Sequence, residues 1–267
     1  MILLNSYTYS IGRLNLQIIF SNKYKEVIEQ RMSSFNQTKN NVINSQLIIK
    51  ENELSFTINN KTLYCFKNKT NIHDLYNIIN NSIALLYDSN NSLYMHSCVV
   101  SDGVNGILIL GDFNSGKTSV SLACKKLGLE INSADLSMIY INDNNLYLER
   151  GSRYLLFNEK KEFLPENLIN KNINILNIIF CVGVCYNGDV IFDKINEKRY
   201  FIKKMYDRSS FHFKYPLLSN NQFLPSLYKN NLEFNNKIAD NGNIEKFMVR
   251  GDPEQIAIKI KEMIGGK

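Results

Sequence analysis

The sequence predicts an α/β protein with α+β features: a phosphate-loop core on a mixed, hairpin-bearing sheet, preceded by a small α+β domain. Three observations lead there. The apolar run GILIL enters GDFNSGKTS, and a helical pattern follows it. Strand-like segments flank tight-turn residues on both sides of that loop. The first ninety residues hold their own short strands and two amphipathic helices. The expected domains are therefore 1–90 and 91–267.

In the N-terminal part, GRLNLQIIF (12–20) reads as a strand. KYKEVIEQRMSSF (23–35) places Tyr24, Val27, Ile28, Met32 and Phe35 on one helical face. Three short strands follow, QLIIK, ELSFTI and TLYCF, with ENE and NNK as turns. A second helix, NIHDLYNIINNSIALLY (71–87), carries Leu75, Ile78, Ile79, Ile83 and Leu86 on its apolar side. No residue here suggests chemistry; support, partner docking or substrate presentation is the expected role.

From residue 91 the pattern changes. LYMHSCVV (93–100) and GILIL (106–110) read as strands around SDGVN. The helix after the loop carries Val120, Leu122, Ala123 and Leu127 and stops at Gly128. EINSA then leads to Asp135, and LSMIYI and NLYLE form a hairpin about NDN. LNIIFCVGVCY and DVIFDKI read as a second hairpin turning at Asn187–Gly188. GDPEQIAIKIKEMI closes the chain as a helix with Pro253 in its first turn.

Composition limits the class. The 267 residues are 44% hydrophobic and 21% charged, ordinary for a soluble globular protein. A net charge of +6 suits an anionic ligand or an acidic peptide but is too small to argue for nucleic acid. The five cysteines (Cys65, Cys98, Cys124, Cys181 and Cys185) have neither disulfide-scaffold nor zinc spacing. With no signal-like start in MILLNSYTYS and no apolar window long enough for a membrane, the expectation is a cytoplasmic protein.

The loop carries the chemistry. Gly111, Gly116, Lys117 and Thr118 fill the four places of Gly-x-x-x-x-Gly-Lys-[Ser/Thr]. Average residue frequencies put a chance match at roughly one chain in a hundred of this length. Glycines let the backbone curl so that successive N–H groups point at phosphate oxygens, and the helix N-terminus adds partial positive charge. The candidate nucleotide-binding set is Gly111, Asp112, Asn114, Ser115, Gly116, Lys117, Thr118 and Ser119. In such a loop Lys117 reaches the β and γ phosphates and Thr118 sits on magnesium. The plain alternative is a glycine turn between strand and helix.

Around the loop, Asp135 is the leading candidate for a metal ligand or for the acceptor of a substrate proton. It follows a strand expected to pair beside the loop's own strand; an exposed turn aspartate is the alternative. Asp112 would shape the turn. His96 stands at the start of the strand preceding GILIL, where a structural histidine is the ordinary finding. The basic, aromatic stretch KRYFIKKMYDRSSFHFKY (198–215) offers Arg199, Lys203, Lys204 and Arg208 to an anion, or is a surface element with buried rings.

The run MHSCVV…GILILGDFNSGKTSVSLACKKLGLEINSAD resembles the catalytic domain of the HPr kinase/phosphorylase family, whose fold is similar to phosphoenolpyruvate carboxykinase. His96 falls on the family's histidine, Gly111–Asp112 on its loop opening, and Gly116, Lys117 and Thr118 on its close. Gly128 is the helix-ending glycine, and Asp135 the second member of an aspartate pair. The resemblance is dense over about residues 93–142, and the short N-terminal unit and closing helix are similar to stand-alone kinases of precursor peptides.

The resemblance implies ATP and magnesium as cofactors and Asp135, Lys117 and His96 as catalytic residues. Asp135 and Thr118 would hold the metal, with Asp135 also the base toward a serine hydroxyl. The implied acceptor is a peptide or small protein, with no nucleic acid or membrane partner, and a homo-oligomer is compatible. One departure stands out: the first aspartate of the pair is Ala134 here. Glu149 weakly resembles a family glutamate. A small-molecule hydroxyl kinase and a catalytically impaired nucleotide-binding regulator remain alternatives.

Overall fold

The computed structural model describes residues 4–33, 35–39, 42–66, 74–88, 91–152, 154–157, 160–210 and 224–266. They form two compact units. One is drawn from Met1–Asn90 with residues 224–230, the other from Asn91–Ser210 and Asn231–Lys267.

The first unit opens on β1 (Leu4–Ile11) and β2 (Leu14–Ser21), followed by α1 (Lys25–Met32), β3 (Asn36–Gln37), β4 (Ser45–Ile49), β5 (Leu54–Ile58), β6 (Lys61–Phe66) and α2 (Leu75–Asp88). Its sheet runs β3-β1-β2-β4-β5-β6. The pattern of β1 is half-exposed and polar, which hid it from sequence reading. It forms because all eight residues pair with β2 around Gly12, whose φ of 58° suits the tight turn. Strands β2 and β4 are parallel, so α1 lies in the connection between them. Leu16, Ile18 and Phe20 of β2, Ile28 and Met32 of α1 and Ile79 and Ile83 of α2 are fully buried. At about 1.5–3 kcal/mol per buried apolar side chain, such residues supply most of the drive to fold.

In the second unit come β7 (Ser92–His96), β8 (Cys98–Ser101), β9 (Asn105–Gly111), α3 (Lys117–Lys126), β10 (Glu130–Ser133), β11 (Leu136–Asn142) and β12 (Asn145–Gly151). They are followed by β13 (Tyr154–Phe157), β14 (Lys160–Phe163), α4 (Glu166–Ile169), β15 (Ile173–Val184), β16 (Ile191–Lys194) and α5 (Lys198–Ser209). Helix α6 (Leu224–Asp240), β17 (Glu245–Gly251) and α7 (Pro253–Gly265) complete the chain. The main sheet runs β10-β8-β9-β15-β12-β11-β7, with β17 on β15 and β16 on β17. It is mixed: β15 runs parallel to both β9 and β17, and the remaining pairs are antiparallel.

Alternation along the central strands explains two cores. Ile107 and Ile109 of β9 and Ile179 and Cys181 of β15 pack with Val120 of α3 and Ile256 and Ile260 of α7. Leu108, Leu110, Ile178 and Phe180 point the other way, onto Phe201 and Met205 of α5 and Phe234 and Ile238 of α6. Strands apolar on both faces need helices on both. Helix α7 is set by Asp252, whose carboxylate accepts the Glu254 and Gln255 amides at 2.9 and 3.2 Å while Pro253 fills the first turn. The architecture is thus the expected mixed α/β fold with helices and hairpin-rich sheets.

Three expectations change. The stretch 93–100 is two strands that part at Ser97: β7 pairs with β11, while β8 pairs with β9 and β10. DVIFDKI makes no hairpin with the strand before it. Both edges of β15 are already taken, by β9 and β17, so β16 pairs with β17. Asn187 does turn with a φ of 59°, but its amide is held by Asp252 at 2.8 Å and the chain leaves across β17. Finally, β10 does not lie beside β9, because β8 stands between them.

Candidate functional site

The loop joins β9 to α3. Asn114 and Gly116 take φ values of 60° and 93°, curling the backbone back toward the strand. A Cβ on Gly111 would stand 2.2 Å from Ser115 Oγ, and one on Gly116 would stand 2.3 Å from Val184 Cβ. Both glycines are therefore required by close approach, and Gly116 also by its left-handed backbone. Gly116 is the N-cap of α3 and offers no side chain to the helix's first amides. Those amides have no intrahelical acceptor, so they are available to an anion. Ser115 Oγ is buried and has no hydrogen-bond partner among the described residues.

Lys117 opens α3 and is 7% exposed. Its Nζ donates to the carbonyls of Gly111 and Asp112 at 3.1 and 2.9 Å, folding the ammonium back onto the loop. Burial pulls its pKa below the usual lysine value, and the Asp135 carboxylate opposes that pull. Burial also pushes the thiols of Cys98 and Cys181 up to about 12, so neither supplies a thiolate at neutral pH. Asp135 is accordingly the anionic counter-charge bearing on Lys117 from the sheet.

Asp135 stands in the turn between β10 and β11. Its amide and that of Leu136 both donate to Ser152 Oγ at 3.0 Å, and its carbonyl accepts the Ser97 amide at 2.9 Å. The carboxylate meets His96: Nε2 lies 3.0 Å from Oδ1, with the imidazole 14% and the carboxylate 43% exposed. The other side of His96 faces Phe113 of the loop, ring centroids 4.7 Å apart and planes 31° from parallel. Phe113 is 83% exposed, so it forms an apolar lip over a polar pair.

Ala134, beside Asp135, is buried and belongs to the apolar cluster with Cys98, Val120 and Cys181. Its carbonyl accepts the Cys98 thiol at 2.9 Å and its amide donates to Ser152 O at 3.3 Å. Position 134 therefore turns its side chain into the core, and a carboxylate there would be desolvated.

The structure thus brings together Gly111, Asp112, Asn114, Ser115, Gly116, Lys117, Thr118 and Ser119 as one loop and helix start, with His96 and Asp135 alongside. Thr118 and Ser119 occupy the first turn of α3, each half-buried. Asp112, at 74% side-chain exposure, pairs with Arg208 of α5, and that partner holds its pKa below the usual carboxylate value. Glu149 sits on β12 next to the buried Arg150, and Arg250 lies on β17 opposite Gly183. Residues 211–215 of the basic stretch lie outside the described residues. Sequence reading missed Ser152 and Phe113. Nothing in GSR marks the serine as an anchor, whereas an aromatic residue inside a glycine loop was a usable signal.

No family model and no curated protein matches the sequence. Among solved structures, the chain is similar to the Hpr(Ser) kinase/phosphatase from Coxiella burnetii, with 12% identity and a TM-score of 0.35. The match covers 64% of this chain and 93% of that one. It is a weak likeness to a kinase/phosphatase fold and to nothing more specific. Among the described residues, no helix is long and apolar enough to cross a membrane.

Proposed function

We propose that this chain is an ATP-dependent kinase that transfers a phosphoryl group to a serine or threonine hydroxyl of a peptide or small protein, such as a ribosomally made precursor peptide. The observation that carries the reading is the His96–Asp135 pair, 3.0 Å apart, in electrostatic range of the loop's Lys117. A phosphate cradle alone binds; a cradle with an oriented carboxylate beside it has the parts for transfer. Residues 91–267 would form the catalytic domain on a core of the HPr kinase/phosphoenolpyruvate carboxykinase type, and 1–90 the supporting α+β domain.

The residues suit the group. Uncapped amides at the start of α3, the curled glycines and a buried lysine match a polyphosphate. Magnesium bound with a nucleotide needs one or two protein oxygens, the phosphates and waters supplying the rest, and Thr118 and Asp135 would provide them. When bound, ATP with magnesium supplies the transferable phosphoryl group. Lys117 would then leave the Gly111 and Asp112 carbonyls and neutralise charge on the phosphates. Asp135 would accept the acceptor hydroxyl's proton, and His96, packed against Phe113, would fix the carboxylate's direction. The Phe113 lip would keep water from that hydroxyl's position.

The test is transfer of label from γ-labelled ATP to candidate acceptors, read as a mass gain of one phosphate on a peptide serine or threonine. Labelled peptide with the unaltered chain, lost on Lys117→Ala, is the expected outcome. Nucleotide binding without transfer to any peptide or small-molecule hydroxyl would refute the kinase reading.

A further inference from the structure

Helix α5 carries Tyr200, Lys204 and Arg208 four residues apart, and therefore on one face. Lys204 Nζ lies 5.5 Å above the Tyr200 ring, and Arg208 reaches the loop to pair with Asp112. Both Lys204 and Arg208 act on the Asp112 carboxylate. Phe201 and Met205, on the adjacent side of the helix, are buried in the core, so the row has little freedom to rotate away.

The guanidinium of Arg208 is incompletely used. It has five N–H donors in a rigid plane, and Nη2 donates to Asp112. Nε is closed off from solvent and has no hydrogen-bond partner among the described residues. The arginine's charge also bears unfavourably on Lys117. The partner it holds, Asp112, is the residue whose own carbonyl takes the Lys117 ammonium at 2.9 Å. Two cations thus converge on one loop residue, one of them with a spare, desolvated donor. Both cations therefore border the loop that an anion would occupy.

We infer that Arg208 is a second phosphate-binding residue of this loop, donating to a phosphate oxygen of the nucleotide while Asp112 holds the rest of its fork. The inference rests on the loop being a nucleotide site. Arginine suits the task because its planar fork serves a carboxylate and a phosphate together and never loses its proton. It predicts that Lys cannot replace it, since an ammonium keeps the charge but not the fork.

A merely bracing Arg208, present only to neutralise Asp112, makes a different prediction, and a double substitution separates the two. ATP affinity with magnesium is measured on the full-length chain, Arg208→Gln, Asp112→Asn and the double variant, with far-ultraviolet circular dichroism confirming each fold. Losing a charge-assisted bond should weaken ATP roughly tenfold to a hundredfold in Arg208→Gln. The same loss should persist when Arg208→Gln is introduced into Asp112→Asn. If Arg208→Gln does not fold, Arg208→Lys takes its place and should still weaken ATP severalfold in both backgrounds. An arginine loss that vanishes in the Asp112→Asn background, or no loss in either, overturns the inference while leaving the nucleotide site standing. An unaltered chain that binds no ATP overturns both.

Discussion

His96 Nε2 lies 3.0 Å from Asp135 Oδ1, and the strands behind them hold the pair in register. Leu136, next to the aspartate, faces His96 across the β7–β11 ladder, and the Ser97 amide donates to the Asp135 carbonyl. A side-chain pair anchored through backbone on both sides keeps its geometry without a ligand.

If that carboxylate is the base, Asp135→Asn should reduce phosphate transfer by roughly a hundredfold to ten-thousandfold. His96→Ala should reduce it less, through lost orientation. Labelled-phosphate transfer at saturating ATP reads both, and full transfer by Asp135→Asn would exclude it as the base.

The anchor makes its own prediction. Ser152→Ala removes the oxygen shared by the Asp135 and Leu136 amides and leaves both turn donors without it. At about 1–3 kcal/mol per unsatisfied buried group, the midpoint of denaturant unfolding should fall measurably, and transfer with it. Ser152→Thr keeps the hydroxyl and should restore most of both.

Gly116→Ala tests the curl. The added Cβ meets Val184 at 2.3 Å on a backbone with φ 93°. We expect a drop in thermal midpoint and loss of nucleotide binding. Adding Val184→Ala relieves the collision but not the left-handed backbone, which costs a non-glycine residue about 1–2 kcal/mol. The rescue should therefore be partial.

Ala134→Asp restores the aspartate pair in sequence and should still fail to add a second carboxylate ligand for magnesium. The side chain would enter the cluster of Cys98, Val120 and Cys181. A desolvated carboxylate there should cost several kcal/mol. Calorimetry with and without magnesium reads the outcome. A stabilised variant with tighter magnesium binding would show that the turn can reverse.

The thiols give the pH dependence. Burial raises Cys98, Cys124 and Cys181 from 9.0 to about 12. The unfolded chain thus loses those protons before the folded one does. Stability from this source is complete below pH 9 and falls as pH rises toward 12. At pH 8, iodoacetamide followed by peptide mapping should modify the exposed Cys185 and spare those three.

The sequence by itself determined the local structure: the loop residues, the buried strand β9, the start of α7 at Pro253 and the mixed α/β class. Each follows from contacts within a few residues or from a period of two or 3.6. Tertiary structure decided which strands are neighbours. β8 stands between β10 and β9, β17 takes the edge of β15 expected for β16, and β1 exists through its ladder with β2. It also decided the function of single side chains. Ala134 and Asp135 are adjacent in sequence, yet one faces the core and the other His96, because successive residues leaving a strand point to opposite sides. Arg208 lies 96 residues from Asp112 and Ser152 lies 17 from Asp135. The first pairing leaves no spacing signal, since only packing of α5 on the sheet brings it about, whereas the β11–β12 hairpin sets Ser152 beside Asp135.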